Sequence, residues 1–245
     1  PTLFLGYHSF ESESHVLYVS RDGENGIIIL DQTPFYAESG GQTGDQGVLK
    51  NSHFFAEVTD TRKNDTHILH LVRFINGSIA PGGFVDATIN ADRRLSTMRN
   101  HTATHLLHAA LRQILGKQVR QLGSLVSPDK LRFDYSYSSS LSSEELRSIE
   151  DIINYEILKD SPVSKEEKEI EEAKKDGAIA FFGEKYGQKV RVITVPGFSK
   201  ELCGGTHCDR TGQIGFFIII SDSSIASGTR RIEALTGIAA VNYVR

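Results

Sequence analysis

Two pairs of histidine and cysteine side chains, far apart in the chain, carry the clearest chemistry in this sequence. His101 and His105 are separated by three residues, and so are Cys203 and His207. Residues four apart lie on one face of an α-helix, so His101 and His105 can direct two imidazoles at one ion. Imidazole and thiolate are zinc ligands, and the second pair would complete a tetrahedron. The sequence therefore predicts a zinc site.

Spacing alone does not determine which residues bind the ion, because two further candidates lie close to the first four in the sequence. His108 lies on the same helical face as His101, and Cys208 follows His207 directly. Six candidate ligands thus compete for about four positions. Thr102 stands where zinc peptidases of the His-Glu-x-x-His type carry their glutamate base, so the spacing argues against that class of enzyme.

A glycine-rich segment from Thr33 to Gly47 is the second unusual feature. Its four glycines leave backbone amides accessible, and Gln42 offers both a donor and an acceptor. No Gly-Lys-Ser/Thr follows, so the segment is not a P-loop. A barrel with several tight turns would have the same composition, so both interpretations stay open.

Short alternating runs between turn residues predict that residues 1–90 form a small β-barrel carrying the glycine-rich loop. The predicted strands are His15–Ser20, Gly26–Gln32, Gly47–Leu49, Phe54–Thr59, Ile68–Val72 and Phe84–Ile89.

The remainder, residues 91–245, is predicted to be a zinc-containing core in which an antiparallel sheet packs with helices, so the fold class is α+β. Asn90 is a candidate N-cap for a long helix that ends near Gly116 and carries the first histidine pair. A capping box at residues 142–145 predicts a second helix that stops before Pro162. A charged third helix is predicted from Ser164 to about Lys175. Predicted strands at 189–195, 214–220 and 230–235 follow, with the second ligand pair on the loop between the first two.

The composition excludes a strongly basic nucleic-acid-binding chain and an ordinary membrane protein. Across 245 residues the formal net charge is -4, so RNA contacts would come from a local patch or from partner domains. Candidate phosphate contacts are Arg93, Arg94, Arg99, Arg230 and Arg231. Only two cysteines occur, which indicates a reducing, cytoplasmic location. No apolar run approaches the ~20 residues of a membrane span.

Four motifs together resemble one known family over nearly the whole chain. They occur in the order Ser39-Gly-Gly-Gln42, His101-x3-His105, Cys203-Gly-Gly-Thr-His207 and Gly228-Thr-Arg-Arg-Ile-Glu-Ala234. This set is similar to the editing domain of alanyl-tRNA synthetases and to its freestanding AlaX-type relatives. The threonyl-tRNA synthetase editing domain shares only the two ligand spacings, so the first and third motifs favour the alanyl branch.

The resemblance implies a zinc-dependent hydrolase that removes serine or glycine from mischarged tRNA(Ala). It implies that His101, His105, Cys203 and His207 bind the zinc, that Gln42 is associated with editing activity, and that Arg230 contacts the tRNA acceptor end. Arg231 and Arg99 are further candidate tRNA contacts. The resemblance implies no role for His108 or Cys208.

The implied partners are the acceptor end of tRNA(Ala) and the aminoacylation and C-terminal domains of a parent alanine–tRNA ligase, with no membrane and no DNA. Two alternatives remain: a freestanding trans-editing hydrolase, and a structural zinc module that binds tRNA without catalysis.

Selectivity against the correct amino acid needs a polar group for the serine hydroxyl, because that group would be left unpaired by alanine. Thr102, between the two histidines, is our candidate catalytic residue for this role, with Thr104 as the fallback. The alternative is that the Thr102 hydroxyl bonds the carbonyl four residues earlier, as threonine in helices often does. With four protein ligands a tetrahedral zinc has no open position, so we expect zinc to organise the aminoacyl end.

Overall fold

A closed six-stranded antiparallel barrel forms near the N-terminus, which confirms the predicted barrel. Its strands in chain order are β2 Glu11–Asp22, β3 Asn25–Leu30, β5 Gly47–Asn51, β6 Phe54–Lys63, β7 Ile68–Asn76 and β8 Phe84–Ile89. Around the barrel the order is β2-β3-β7-β6-β5-β8, so every strand has two neighbours and no edge is left open. A short parallel pair, β1 Leu3–Phe4 and β4 Gln32–Thr33, accompanies it.

The computed structural model describes residues 1–181 and 187–245. These residues form two units, of which the first contains residues 1–39 and 43–94 and the second contains residues 40–42 and 95–245. Among the described residues, every helix is too short or too polar to cross a lipid bilayer.

The barrel interior is filled by alternate residues of its strands, as the two-residue period of a strand requires. In β6, Phe54, Ala56 and Val58 are buried, and in the neighbouring strand β7, Val72 and Phe74 are buried. The intervening side chains lie on the outer surface. The alternation that predicted the strands therefore also specifies which face of each strand packs inward.

One histidine lies fully buried in the barrel. His70 Nδ1 is 3.0 Å from the Ile28 carbonyl oxygen, and its Nε2 is 2.8 Å from Thr33 Oγ1. Because a carbonyl can only accept, the proton of the neutral ring sits on Nδ1 and Nε2 accepts from the threonine hydroxyl. Burial lowers the pKa of His70 to about 4 from 6.5, although the hydrogen bond to Ile28 opposes this shift.

We expect the free energy of unfolding to fall as the pH falls from 6.5 to about 4. In that window the unfolded chain binds a proton at His70 that the folded chain does not, which costs at most about 3 kcal/mol. Above pH 6.5 this contribution is absent. Urea denaturation across the window should show a smaller loss for His70→Gln, whereas the exposed His53→Gln should behave like the wild type. If the free energy of unfolding changed equally with pH in the wild type and both variants, the prediction would be contradicted.

Helix α1, which carries His101 and His105, runs Ala91–Leu115, as predicted. Asn90 Oδ1 accepts from the backbone N–H of Arg93 at 3.1 Å, which satisfies an otherwise unpaired donor of the first turn. Gly116 has a φ of +106°, a conformation that ends a helix at little cost only for glycine. Buried apolar residues of the helix contribute to the core of the second unit; they are Ala103, Leu106, Leu107, Ala110, Leu111 and Leu115.

A four-stranded antiparallel sheet shares that core and confirms the predicted sheet with helices. Its strands are β9 Gln121–Val126, β10 Leu131–Ser136, β14 Phe217–Ala226 and β15 Thr229–Thr236, in the spatial order β14-β15-β10-β9. Helix α2, Ser143–Leu158, begins with the predicted capping box, in which Ser142 and Glu145 satisfy each other's backbone N–H. Helix α4 covers Gly237–Val244.

The predicted third helix is wrong over its first half. Residues Ser164–Glu169 form strand β11, and only Ile170–Lys175 is helical, as α3. Strand β11 pairs in antiparallel register with β12, Lys189–Val195, which in turn pairs with β13, Ser199–Leu202. These non-local hydrogen bonds outweigh the helix propensity of the Glu/Lys run. Charged side chains also suit β11 as an edge strand, because they discourage pairing with another chain.

The predicted strand at 214–220 begins later than expected. Thr211–Ile214 is a short 3-10 helix, and Gly215, at a φ of +73°, separates it from β14. Glycine adopts this left-handed conformation readily, so the chain can turn here before it becomes extended.

Candidate metal centre

The four predicted ligands converge at one point in the second unit. One ligand atom from each of His101, His105, Cys203 and His207 lies within 4.8 Å of the others, so the four can hold a metal ion. Cys203 Sγ is 3.3 Å from Nε2 of His101 and 3.3 Å from Nε2 of His207. Helix α1 supplies two of the ligands, and the loop that follows β13 supplies the other two. His108 and Cys208 do not belong to this group.

Glycine is required in the loop that carries Cys203 and His207. A Cβ atom on Gly205 would lie 2.0 Å from a carbon of the His101 ring and 2.9 Å from Gln42 Oε1. No real Cβ approaches other atoms this closely, so the loop backbone reaches the first ligand pair only because this residue has no side chain. The Cys203 sulfur also accepts from the Gly205 N–H at 3.4 Å.

Each of the three histidines of the cluster places its second ring nitrogen against a protein group; for His207 Nδ1 this group is the Thr102 hydroxyl, at 3.3 Å. His101 Nδ1 is 2.8 Å from Gln42 Oε1, and His105 Nδ1 contacts the carboxylate of Glu201. Metal-binding histidines are commonly oriented in this way by an acceptor behind the ring. The Nε2 atom of His105 is buried and has no hydrogen-bond partner within the described chain. A buried lone pair without a partner is costly, and a bound metal would satisfy it. The donor set therefore fits a metal ion.

Gln42 is completely buried beside this cluster, with its amide fully engaged. Its Oε1 accepts from His101 and from the Thr206 backbone N–H at 2.9 Å, while its Nε2 donates to Thr206 Oγ1 at 2.9 Å. Both lone pairs of the carbonyl oxygen are thus used within the protein. The geometry ties Gln42 to one ligand and to the loop that carries two others. Its predicted part in catalysis stays a prediction.

The Thr102 hydroxyl makes three contacts inside the protein. It donates to the Met98 carbonyl at 2.8 Å, accepts from the Cys208 N–H at 3.0 Å, and lies 3.3 Å from His207 Nδ1. The bond to Met98 is the hydrogen bond to the carbonyl four residues earlier that the sequence left open as an alternative. The contact with His207 places the hydroxyl behind a candidate ligand. Thr104, the fallback, donates to the Asn100 carbonyl at 2.8 Å.

Cys203 of the cluster and the nearby Cys208 differ in the pKa of their thiols. Although burial opposes it, the neighbouring imidazoles of His101, His207 and His105 hold the pKa of the Cys203 thiol well below its usual 9. Burial instead raises the pKa of Cys208 to about 11. Because the thiolate is the metal-binding form, Cys203 is suited to ligation and Cys208 is an inert core residue.

Sequence reasoning missed one residue of this environment, the buried Glu201. Its carboxylate contacts both His105 and His108 Nδ1, the latter at 2.6 Å. The available signal was its spacing, two residues before Cys203, because residues two apart in an extended segment point to the same side.

The three predicted tRNA contacts each bind a partner within the second unit. Arg230 is buried and pairs through Nε and Nη2 with Asp222. Arg231 forms a bidentate pair with Asp134, at 2.7 and 2.9 Å, and its side chain is 32% exposed. Arg99 Nε donates to the Gln213 carbonyl at 3.1 Å.

A cleft of about 200 Å³ lies between part of the glycine-rich loop and β9. Its lining includes Gly40 and Gly41 of the glycine-rich loop, Gln121 and Ser124 of β9, and Phe181. The ring of Phe181 lies 6.4 Å from that of His105, centre to centre. Gly41 has a φ of +83°, and a Cβ there would lie 2.3 Å from Ser124 Oγ, so the loop approaches β9 closely only as glycine.

Comparison with known sequences places the chain among the aminoacyl-tRNA synthetases. The family model described as "Threonyl and Alanyl tRNA synthetase second additional domain" matches residues 190–233, and the model described as "tRNA synthetases class II (A)" matches residues 2–93. An alanine–tRNA ligase of Chlorobaculum tepidum is 50% identical over 253 residues, which cover 98% of this chain and 29% of the relative. The enzymes of Pseudomonas fluorescens and Acetivibrio thermocellus are each 48% identical over 99% of the chain and 29% of their own length.

The chain thus spans less than a third of these relatives, and the region matched includes the loop with Cys203 and His207. It belongs to the alanine–tRNA ligase family and carries the second additional domain that this family shares with the threonyl enzymes.

Proposed function

We propose that this chain hydrolyses the ester of mischarged Ser-tRNA(Ala) and Gly-tRNA(Ala) at a zinc ion held by His101, His105, Cys203 and His207. The observation that carries the proposal is the convergence of these four ligand atoms within 4.8 Å. Nitrogen and sulfur donors in this number are typical of zinc. The family supports an aminoacyl-tRNA as the substrate, because the matched relatives are alanine–tRNA ligases.

When bound, the metal supplies positive charge that can orient and polarise the aminoacyl end of the tRNA. The protein groups around it hold the ligands. Gln42 orients His101 through its Oε1 and ties it to the Thr206 segment, while Thr102 lies behind His207. We assign the acceptor end to the cleft beside Gly40 and Gly41, because Phe181, which lines it, lies 6.4 Å from the His105 ring and offers an aromatic face on which a base can stack.

Arg99, Arg230 and Arg231 remain proposed contacts to tRNA phosphates. Arg231 is the more accessible of the last two, since its side chain is 32% exposed and that of Arg230 only 8%. A phosphate at Arg230 would compete with Asp222 for the guanidinium. The aminoacylation and C-terminal domains of a parent ligase are proposed partners, and the cytoplasmic location stays a prediction. A freestanding trans-editing hydrolase would use the same site.

Deacylation of Ser-, Gly- and Ala-tRNA(Ala) by this chain, with zinc and after chelation, tests the proposal. We expect the serine and glycine esters to be hydrolysed and the alanine ester to be largely spared, with all activity lost when zinc is removed. An unpaired polar group in the site would disfavour alanine over serine by about 1–3 kcal/mol. Tight tRNA binding without hydrolysis of any ester would instead support the structural zinc module.

Replacing Thr102 by valine is expected to slow the serine and glycine reactions by the same factor. Valine keeps the shape but removes the acceptor for His207 Nδ1 and the Cys208 N–H, so a ligand shared by both reactions loosens. The lost bonds are worth about 1–3 kcal/mol, or roughly ten- to a hundredfold in rate. Single-turnover deacylation of both esters measures the effect.

Thr104→Val is the matched control, because its hydroxyl donates to the Asn100 carbonyl of its own helix. We expect nearly wild-type rates for this variant. Selective slowing of the serine ester in Thr102→Val would support direct recognition of the serine hydroxyl, the hypothesis that the sequence raised, and would contradict a role through His207.

A further inference from the structure

A carboxylate is buried between two histidines, of which only one belongs to the metal cluster. Glu201 is 1% exposed, and His105 and His108 are 4% and 2% exposed. One carboxylate oxygen contacts His105 Nδ1, and the other lies 2.6 Å from His108 Nδ1. Glu201 belongs to β13 and is registered opposite Ile193 of β12, so the sheet holds its backbone in place.

This arrangement selects the form of His105 that can bind a metal. An ionised carboxylate only accepts hydrogen bonds, so the proton of His105 must sit on Nδ1. Its Nε2 then carries a free lone pair and is buried without a hydrogen-bond partner within the described chain. The same holds for Nε2 of His108, but only His105 belongs to the group of converging ligand atoms. The opposite tautomer would place a proton on Nε2 and exclude His105 from the ligand set.

The charge of a bound metal ion is a second reason for a carboxylate at position 201. A buried carboxylate is costly unless positive charge compensates it. Among the described residues, the Glu201 carboxylate contacts the imidazoles of His105 and His108, and the ring of His105 is neutral when it binds a metal through Nε2. A divalent ion together with the Cys203 thiolate leaves one positive charge, and Glu201 neutralises it.

We propose that Glu201 is a positioning residue for the metal centre, which sets the tautomer of His105 and balances the charge of the bound ion, and that His108 holds Glu201 in place without binding the ion. This inference rests on the metal of the proposed function. By donating to one oxygen, His108 occupies it and leaves the other for His105. His108 itself does not belong to the group whose ligand atoms lie within 4.8 Å.

Glu201→Gln tests the proposal directly. The two histidines contact different oxygens of Glu201, so glutamine would turn its NH2 group, which only donates, towards one of them. Glutamine also carries no charge. We expect the dissociation constant for zinc, measured by competition with a chelating indicator, to rise by about 10–100-fold.

The matched control is Glu156→Gln. Glu156 is also buried in the second unit, at 7% exposure, but its partner is Lys159, and it is not among the cluster residues. We expect this variant to bind zinc as tightly as the wild type. Loss of zinc in both variants would indicate a general effect of removing a buried carboxylate and would overturn the specific role of Glu201.

His108 offers a second and independent pair of variants, which decides the question even if Glu201→Gln does not fold. Asparagine can place an amide N–H where His108 Nδ1 stands, whereas leucine has a similar volume and no donor. We expect His108→Asn to retain zinc affinity and His108→Leu to lose it several-fold. Equal affinities in these two variants, or a dissociation constant within about two-fold of wild type for folded Glu201→Gln, would overturn the proposal.

These outcomes are separable from the failure of the proposed function. A wild-type protein that binds no zinc would remove the metal from the proposed function itself. A wild-type protein that binds zinc, with Glu201→Gln binding it equally well, would leave the proposed function intact and reject only the role of Glu201.

Discussion

Cys203→Ala is expected to reduce bound zinc from about one ion per chain to nearly none after dialysis. The thiolate is the one anionic ligand of the four, and its sulfur lies 3.3 Å from the Nε2 atoms of two others. Zinc binding to four protein ligands is worth about 10–16 kcal/mol, so an average ligand accounts for about 3 kcal/mol or more, a hundredfold or greater loss of affinity. Metal analysis and chelator competition measure both quantities.

Cys208→Ala provides the internal control. Cys208 is buried, whereas Cys203 is partly buried, and the two lie only five residues apart. Cys208 does not belong to the ligand cluster, and burial raises its pKa to about 11. We expect it to retain about one zinc ion per chain, as four-coordinate binding by the other residues requires. If Cys208→Ala lost zinc and Cys203→Ala kept it, the ligand assignment would be wrong.

Arg94→Met is expected to lower the free energy of unfolding of the barrel unit by about 3–5 kcal/mol. Arg94 is 1% exposed, and its guanidinium pairs with the buried carboxylate of Asp45. It also donates to the carbonyl oxygens of Gly6 and Pro34, at 2.7 and 2.9 Å. Methionine fills a similar volume but leaves the Asp45 charge buried without its partner. Urea denaturation at neutral pH measures the loss.

Two further variants check that the burial of the pair causes this effect. Arg62→Met removes an exposed partner of Asp60 in the same unit and should cost less than about 1 kcal/mol. The double variant Arg94→Met/Asp45→Leu should recover part of the loss, because it removes both charges together. A loss below about 1 kcal/mol for Arg94→Met would show that the buried pair contributes little.

Several features of this protein follow from local rules and are therefore readable in the sequence. A spacing of four on a helix brings His101 and His105 to one face, and the capping box at Ser142 begins α2 where expected. Alternation with a period of two predicts the barrel strands and their inward faces. Residue type and short-range spacing determine all of these features.

At other positions, the structure or the contact that a local pattern predicts is changed by residues that lie farther along the chain. The Glu/Lys run at Ser164–Glu169 has helical composition but becomes a strand, because β12 supplies hydrogen bonds from about 25 residues away. Arg230, which the motif marked as a tRNA contact, is paired with Asp222 across the hairpin of β14 and β15. In neither segment does the residue pattern alone indicate the partner.

Residue types and their spacing indicate which side chains can bind a metal and which of them share a helical face. The folded chain shows which four of the six candidates converge, and spacing cannot show this because Cys203 and Cys208 have the same side chain and differ only in position. It alone placed Gln42 behind His101 and Glu201 behind His105, since these hydrogen bonds join residues 59 and 96 positions apart. Such contacts depend on how β12 and β13 pair and on how the core packs against α1, and no short-range spacing encodes that geometry.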